Sequence, residues 1–483
     1  MTSTFHSLEV GKRGLAAQQA ALATTGHNIA NANTTGYTRQ RAEMQATKPV
    51  SLPGMQIQLG TGVEVNQLAR LREDYLDVQL RGENKSLGYW EAKGDALTKI
   101  EELLNEPSDD GLAHTMDEFW KGWEELAKNP ESSAARAVVR QKGVAVTETF
   151  QHISQSLDQM QGDLKLVITA KTNDVNSLAA QIGSLNDQIS RLVPNNYQPN
   201  DLYDQRDVLL DQLSKLVDVN VSSPDLRTGM VDVSVGGVTL VTGKNANTLT
   251  IGMDPATGLV NPDEVKIGNN KVNLGSGELL GRIESYGMIG GDSKSTIPSM
   301  KGKINELAMT FANAVNTAHL NGMNLDNING TSNEKVAFFV GSNLNDFEVN
   351  PEIMKSLNLI AAANEETTGQ SSSGNGKNAQ DIANIKFTSL AFTGSSSTAD
   401  DFYRNIIGQL GIDSQEAQRM QSNTEVIIQQ IENRRQSVSG VSLDEEMANM
   451  IKFQQAYNAS ARMVTVMDQC LDKIINGMGR VGL

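Results

Sequence analysis

The chain has 483 residues, room for roughly three domains at about 150 residues each. It carries 41 basic against 57 acidic residues, a net charge of −16. That balance argues against binding a phosphate backbone, which depends on Lys and Arg releasing counterions. The single cysteine, Cys470, excludes an internal disulfide framework and a thiolate zinc cluster, and no apolar run approaches the roughly 18 residues of a membrane span.

Hydrophobic residues at 39% together with 42 glycines place the chain among folded proteins. Aromatics are only 5%, so burial is expected to be aliphatic, without a large aromatic core. Near the N-terminus, Lys12 and Arg13 precede a short apolar stretch that Gln18 and Gln19 interrupt, so no secretory signal is expected.

Prolines are absent from residues 1–48, from 131–193 and from everything after Pro351. An interior proline costs a helix about 3 kcal/mol, so these stretches are free to be long helices. The first carries a thin stripe of Met1, Phe5, Leu8, Leu15, Leu22 and Ile29, with Lys12, Gln19 and Gly26 between, stopped by Asn31, Asn33 and Gly36. The second has a seam of Val146, Phe150, Ile153, Leu157, Met160, Leu164, Val167, Val175, Leu178, Ile182, Leu185, Ile189 and Leu192. Its steps are three or four residues, as in a coiled coil, except from Val167 to Val175 across Lys171. A helix over this stretch is roughly 90 Å long, ended by Pro194.

The middle changes character. Met230–Val235 alternates, Gly236-Gly237 supplies positive φ for a tight turn, and Val238–Val241 returns, which predicts a β-hairpin. A second is expected at 264–274. Helix resumes at about 299–320, residues 364–380 read as a loop, and another helix is expected near 398–437. The closing seam is Leu443, Met447, Met450, Gln454, Tyr457, Ala461, Val464, Asp468, Leu471, Ile475 and Met478. Ser442 with Glu445 forms a capping box, and Asp444, Glu445 and Glu446 suit the positive end of the helix dipole.

No catalytic, cofactor or metal site is visible. The histidines His6, His27, His114, His152 and His319 lack ligand spacing. Gly243-Lys244 and the Gly275–Gly281 run miss phosphate-loop and dinucleotide patterns, and Asn324–Gly330 reads as a turn rather than a calcium loop. Cys470 is expected to be a buried or half-buried, inert thiol.

An apolar helix stripe must be covered. The two terminal stripes could pair within the chain, or wait for neighbouring copies. A subunit of a tubular assembly and an isolated elongated helical scaffold fit the periodicity equally well. The fold class expected is mainly α with a β insertion: elongated and multi-domain, with long coiled-coil-like helices from the N- and C-terminal regions and a central β-rich domain.

Residues Ala21–Gln40, through Asn28, Asn31, Asn33, Gly36, Tyr37, Arg39 and Gln40, resemble the N-terminal signature of the bacterial flagellar rod, hook and hook-associated axial proteins. Ser442–Asn449 through Phe453–Ala461 resembles the C-terminal signature of the same group. Asn200–Asp207, Leu307–Gly322 with Asn324–Asp326, and the Thr38–Arg41 exit are similar to the hook-associated branch. The resemblance covers about 1–215, 299–340 and 398–483.

It implies a structural subunit, not an enzyme, exported unfolded through the flagellar type III channel without a cleaved signal. Outside the cell the subunit forms a ring-like helical layer at the distal end of the hook, joining hook to filament. The implied partners are further copies of the chain, hook protein, a second hook-associated protein, the export apparatus, and a cytoplasmic export chaperone on the C-terminal helix; neither nucleic acid nor membrane is implied. The implied assembly residues are Phe5, Leu8, Leu15, Leu22, Asn28, Ile29, Asn31, Asn33, Gly36, Tyr37, Arg39 and Gln40. At the other end they are Leu443, Met447, Met450, Tyr457, Ala461, Val464, Leu471 and Ile475, which also offer the chaperone its surface. The domains read as 1–45 with 440–483, 46–217 with 299–340 and 398–439, a β-rich 218–298, and a mixed 341–397. A hook or distal rod subunit is the alternative within this class. A periplasmic wall hydrolase is the alternative outside it, and that needs a catalytic constellation the sequence does not display.

Overall fold

The computed structural model describes residues 5–51, 58–108, 111–225, 227–291, 294–366 and 370–477. Met1 and Met478, the outermost members of the two terminal stripes, lie outside the described residues. The chain opens with α1 (His6–Ala30), then a ribbon in which β1 (Gln40–Ala46) pairs antiparallel with β4 (Val63–Arg70). Between them β2 (Val50–Ser51) pairs with β3 (Gln58–Leu59). Three helices follow: α2 (Asp74–Leu104), α3 (Leu112–Lys128) and α4 (Ser133–Leu192).

The 60 residues of α4 make a rod of about 90 Å. Ser132 caps it, its hydroxyl accepting from the Ala135 N–H at 3.2 Å. Its buried seam runs unbroken where the sequence suggested a gap. Leu164, Ile168, Thr172 and Val175 are all buried, while Val167 flanks them half-buried. A hydroxyl is tolerated there because Thr172 Oγ1 donates to the Ile168 carbonyl at 2.7 Å. No single partner helix covers the seam; α3, α5 (Asn200–Leu216), α6 (Glu278–Tyr286), α7 (Thr296–Asn321) and several strands cover it in succession.

The β-rich middle holds two sheets. One orders β5 (Val219–Ser222), β6 (Asp232–Val235), β7 (Val238–Thr242) and β8 (Asn245–Ala246); the other orders β11 (Asn270–Lys271), β10 (Val260–Ile267) and β9 (Leu249–Met253). Gly236 and Gly237 form the expected turn with φ of 54° and 81°. The second expected hairpin is shorter than read: β10 meets β11 over two residue pairs and takes β9 as its main partner.

Residues 324–397 form short pieces around α3 and α7: α8 (Leu325–Ile328), β12 (Phe339–Val340) with β13 (Glu348–Val349), α9 (Pro351–Lys355), α10 (Lys377–Asn384), and the hairpin of β14 (Leu390–Phe392) and β15 (Ser395–Ser397). The stretch read as a loop at 364–380 thus ends in the first turn of α10. Asn324 opens α8 as a capping box with Asn327. The chain closes with α11 (Ala399–Ser439), antiparallel to α2, and α12 (Leu443–Gly477).

One expectation fails outright. Phe119, Trp120, Trp123, Phe150, Phe311, Phe338, Phe339 and Phe347 are fully buried in one aromatic core, with ring centroids 4.8–6.1 Å apart. Aromatics are scarce in the chain but concentrated here, including two of its three tryptophans. A percentage averaged over the chain conceals such clustering.

Candidate functional site

The site begins where the two chain ends meet. Helices α1 and α12 lie antiparallel, with Asn28 beside Glu446 and Gly11 beside Val464. A Cβ on Gly11 would stand 2.9 Å from Val464 Cγ2, and one on Gly14 2.9 Å from Ser460 Oγ, so small residues set the closeness of the pair. The buried face of α1 is Gly11, Ala17, Ala21, Thr24, Thr25 and Asn28. The larger stripe, Leu8, Leu15, Leu22 and Ile29, is only half-buried, and Phe5 is exposed.

On α12 the covered face is Glu446, Met450, Phe453, Tyr457, Ser460, Ala461, Val464, Met467 and Leu471, buried or partly so. Leu443, Met447 and Ile475, read as part of the seam, are exposed near the two ends of α12, as are Ile451, Met463, Val466 and Ile474 along its open flank. Cys470 is exposed too. It was expected to be covered because it adjoins Leu471, but it points to the flank that α1 leaves open.

Beyond α1, Asn31 ends the helix and its side chain donates to the His27 carbonyl at 3.0 Å. Asn33 is exposed in the turn. Gly36 has φ of 80°, and a Cβ there would stand 2.1 Å from Val208 Cγ2 on α5, so the turn is built on a glycine for two reasons.

The chain then makes a clasp. Asn28 Nδ2 donates to the Gln40 carbonyl at 2.8 Å and to Glu446 Oε2 at 3.0 Å. Its Oδ1 accepts from the Gln40 N–H at 3.0 Å and from the Tyr37 hydroxyl at 2.8 Å. Arg39 Nε donates to Glu446 Oε1 at 2.8 Å, and its Nη1 to Glu445 Oε2 at 2.7 Å. Glu446 is 2% exposed. The capping box is therefore half-formed. Ser442 Oγ accepts from the Glu445 N–H at 3.5 Å, but the Glu445 carboxylate reaches for Arg39 instead of returning to the cap.

The same segment is tied to α5. The Thr38 N–H donates to Asp204 Oδ2 at 2.9 Å, Gln40 Nε2 to Asp201 Oδ1 at 3.0 Å, and Asn200 Nδ2 to Gln40 Oε1 at 3.1 Å. Behind it lies a largely buried ionic cluster. Arg70 pairs with Asp204 and Asp207, Arg72 with Asp77 and Asp207, and Arg81 with Asp207 and Asp211. Arg435 of α11 pairs with Asp211. Burial pushes the Asp207 carboxyl up, but Arg72, Arg70 and Arg81 outweigh it and hold the group below the usual carboxylate range. Burial, with Asp201, Asp204 and Glu446 nearby, raises the Tyr37 phenol, which stays a neutral donor.

Asn28, Asn31, Gly36, Tyr37, Arg39 and Gln40 thus come together as a joint between the terminal pair and the body. The apolar stripe residues form a separate surface. Glu445, Glu446, Asp201 and Asp204 were not singled out for this role: Glu446 lies hundreds of residues from Arg39, and no spacing rule links them. Asp201 and Asp204 do sit in the 200–207 motif. Among the described residues no group of acids, histidines or cysteine is arranged to hold a metal ion, and no helix is long and apolar enough to cross a membrane.

Comparison with known proteins matches three families. Residues 8–38 match flagella basal body rod protein, residues 97–336 the helical domain of flagellar hook-associated protein FlgK, and residues 433–477 the C-terminal family of flagellar basal body rod FlgEFG proteins. Flagellar hook-associated protein 1 of Bacillus subtilis (strain 168) is 41% identical, over 99% of both chains. Its namesake from Escherichia coli (strain K12) is 27% identical over 96% of this chain and 98% of that one. The structure of the flagellar hook junction protein FlgK from Burkholderia pseudomallei shares the fold, with a TM-score of 0.63 over 75% of this chain and all of that one, at 14% identity.

Proposed function

The chain belongs to the flagellar hook-associated protein 1 family, and on that premise we propose that it is a structural subunit of the bacterial flagellum. It assembles at the distal end of the hook and forms the junction joining hook to filament. The observation that carries this reading is the terminal pair: α1 and α12 cover each other on one face, are clasped to the body, and leave a second apolar flank open. An uncovered flank on a paired helix suits lateral packing against further copies.

In this reading Leu8, Leu15, Leu22 and Ile29 on α1 pack between subunits, as do Leu443, Met447 and Ile475 on α12. Residues 1–45 with 440–483 form the inner tube, the long helices the next layer, and the β-rich 218–298 the outer bulk. Hook protein lies below and the second hook-associated protein above. An export chaperone covers the stripe at 443–478 before assembly, which prevents premature polymerisation, and the chain passes unfolded through the flagellar type III channel.

Electron microscopy of cells deleted for this chain, with a blot for flagellin in the medium, tests the reading. Hooks without filaments, and flagellin released as monomer, are expected. Missing hooks would move the protein into the hook or rod and overturn the junction role.

A further inference from the structure

Asparagine followed by glycine can react with its own backbone. The glycine amide nitrogen attacks the side-chain carbonyl carbon, a C–N bond closes a five-membered ring, and the side-chain nitrogen leaves as ammonia. Water then opens the ring at either carbonyl, giving aspartate or isoaspartate. Water is the one co-reactant. The attack does require a carboxamide and a backbone amide that can swing together, and tight packing denies them that freedom.

The sequence holds four such pairs: Asn321-Gly322, Asn329-Gly330, Asn375-Gly376 and Asn476-Gly477. The last lies at the end of α12, apart from the body. The fold treats the other three differently. Asn375 is 8% exposed. Its Nδ2 donates to the Asn364 carbonyl, Glu366 Oε1 and Ser371 Oγ at 3.0–3.1 Å, and its Oδ1 accepts from the Lys377 N–H at 3.0 Å. A Cβ on Gly376 would run into the Ala127 carbonyl oxygen, so that backbone is wedged against α3. Asn321 closes α7. The Gly322 N–H beyond it donates to the Ala318 and His319 carbonyls, both at 3.2 Å, and Gly322 is buried against Asn378.

Asn329 is the exception. It is exposed just past α8, and among the described residues its side chain makes no hydrogen bond. Gly330 is exposed as well, with φ of 67° and nothing within 4 Å of a Cβ placed on it. Its N–H reaches the Asn327 carbonyl only at 3.3 Å, a long and weak bond. The surrounding turn hangs on one carbonyl. That of Asp326 accepts from the Thr331 and Ser332 N–H groups at 2.9 and 3.2 Å, and from Thr331 Oγ1 at 3.1 Å. Isoaspartate at 329 would insert one extra main-chain atom between Asp326 and Thr331, which throws these bonds out of register.

We propose that Asn329-Gly330 is a self-modification site, the pair in the body that converts to aspartate and isoaspartate, and that the isoaspartate form unfastens the 326–332 turn. The site depends on the geometry of this turn and not on the junction role.

The full-length chain, kept for weeks in warm, mildly alkaline buffer and then digested, tests the site. Conversion is read from the mass gained as an amide becomes an acid, and from the splitting of a modified peptide into two chromatographic forms. Asn329 should convert roughly tenfold or more faster than Asn321 and Asn375, which react only from locally opened states. In guanidinium the three rates should converge to within severalfold, because the fold and not the flanking sequence sets their order. Asn329→Gln should lose the fast conversion. Asn321 or Asn375 converting as fast as Asn329 in the folded chain, or the same ranking in guanidinium, overturns the site. Hydrogen exchange over 326–332 should be faster in the aged parent than in Asn329→Gln aged alongside it. Freshly made Asn329→Asp, which carries the charge without the extra atom, should exchange as the fresh parent does. Equal loosening by Asn329→Asp, or unchanged exchange in chains carrying isoaspartate, overturns the effect on the turn.

Discussion

Arg39→Met removes the guanidinium that the clasp is built around. Glu446, 2% exposed, then keeps only the Asn28 amide at 3.0 Å and the water it can draw in. Breaking a buried pair by deleting one partner costs about 3–5 kcal/mol. The Arg39 side chain is itself 18% exposed, which places the cost near about 3 kcal/mol; the solvated arm to Glu445 adds at most about 1. The strain is local. The clasp joins α1, α12 and the start of β1, whereas the α4 seam and the aromatic core lie elsewhere in the molecule. The expected result is local opening raised on the order of a hundredfold. Native-state hydrogen exchange should register it in peptides spanning 28–46 and 440–450, with α4 amides unchanged. Adding Glu446→Gln should recover most of the loss, because a neutral amide no longer strands a charge and can still accept from Asn28. An exchange change below about threefold, or equal loosening of α4, would refute the reasoning that Arg39–Glu446 secures the terminal pair specifically.

Gly36→Ala combines a left-handed backbone cost of about 1 kcal/mol with a Cβ placed 2.1 Å from Val208 Cγ2. Overpacking adds about 1–3 kcal/mol, so faster exchange in the 31–37 turn is expected. His319 supplies a pH dependence. Its Nδ1 faces the Val336 carbonyl at 2.8 Å and its Nε2 accepts from the Ala361 N–H at 3.0 Å. Burial pushes the ring down to about 4 from 6.5. As pH falls below about 6.5 the unfolded chain takes up the proton before the folded one does, so this contribution to stability is full above that pH. It is then lost by about 1.4 kcal/mol per unit, to a total of about 3 near pH 4. Urea unfolding of the parent and of His319→Gln at several pH values should differ by that slope; parallel curves would contradict it.

Periodicity made the long helices legible, because a proline-free run with an apolar step of three or four has few other ways to fold. Phase was harder. In α12 the largest side chains attract the eye, yet the face covered by α1 is set by Gly11, Gly14, Ala17 and Ala21 against Ser460 and Val464. Small-on-small packing leaves no hydrophobic signal, so the seam read from the large side chains follows the covered face at Met450, Tyr457, Val464 and Leu471 but misses Glu446, Phe453, Ser460 and Met467. The β1–β4 ribbon went unseen because Gln40–Ala46 and Val63–Arg70 are largely polar and half-buried. Its exit at Arg39-Gln40 was the only hint. The aromatic core was hidden by distribution, its members coming from α3, α4, α7, β12 and the loops between. The N-terminal motif was visible as a motif, but its work was not. Asn28, Tyr37, Arg39 and Gln40 acquire meaning only beside Asp201, Asp204 and Glu446, which folding brings from distant parts of the chain.

The central claim is that one flank of the terminal pair is finished within the chain and the other is finished by neighbours. Ile451 and Val466 are 61% and 53% exposed on the open flank of α12, so Ile451→Asp and Val466→Asp should change the stability of the free subunit by no more than about 0.5 kcal/mol. The decisive measurement is their incorporation at the hook tip, scored by immunoelectron microscopy in cells lacking the parent chain. The account predicts folded, exported subunits that fail to incorporate. Normal incorporation of both would contradict it.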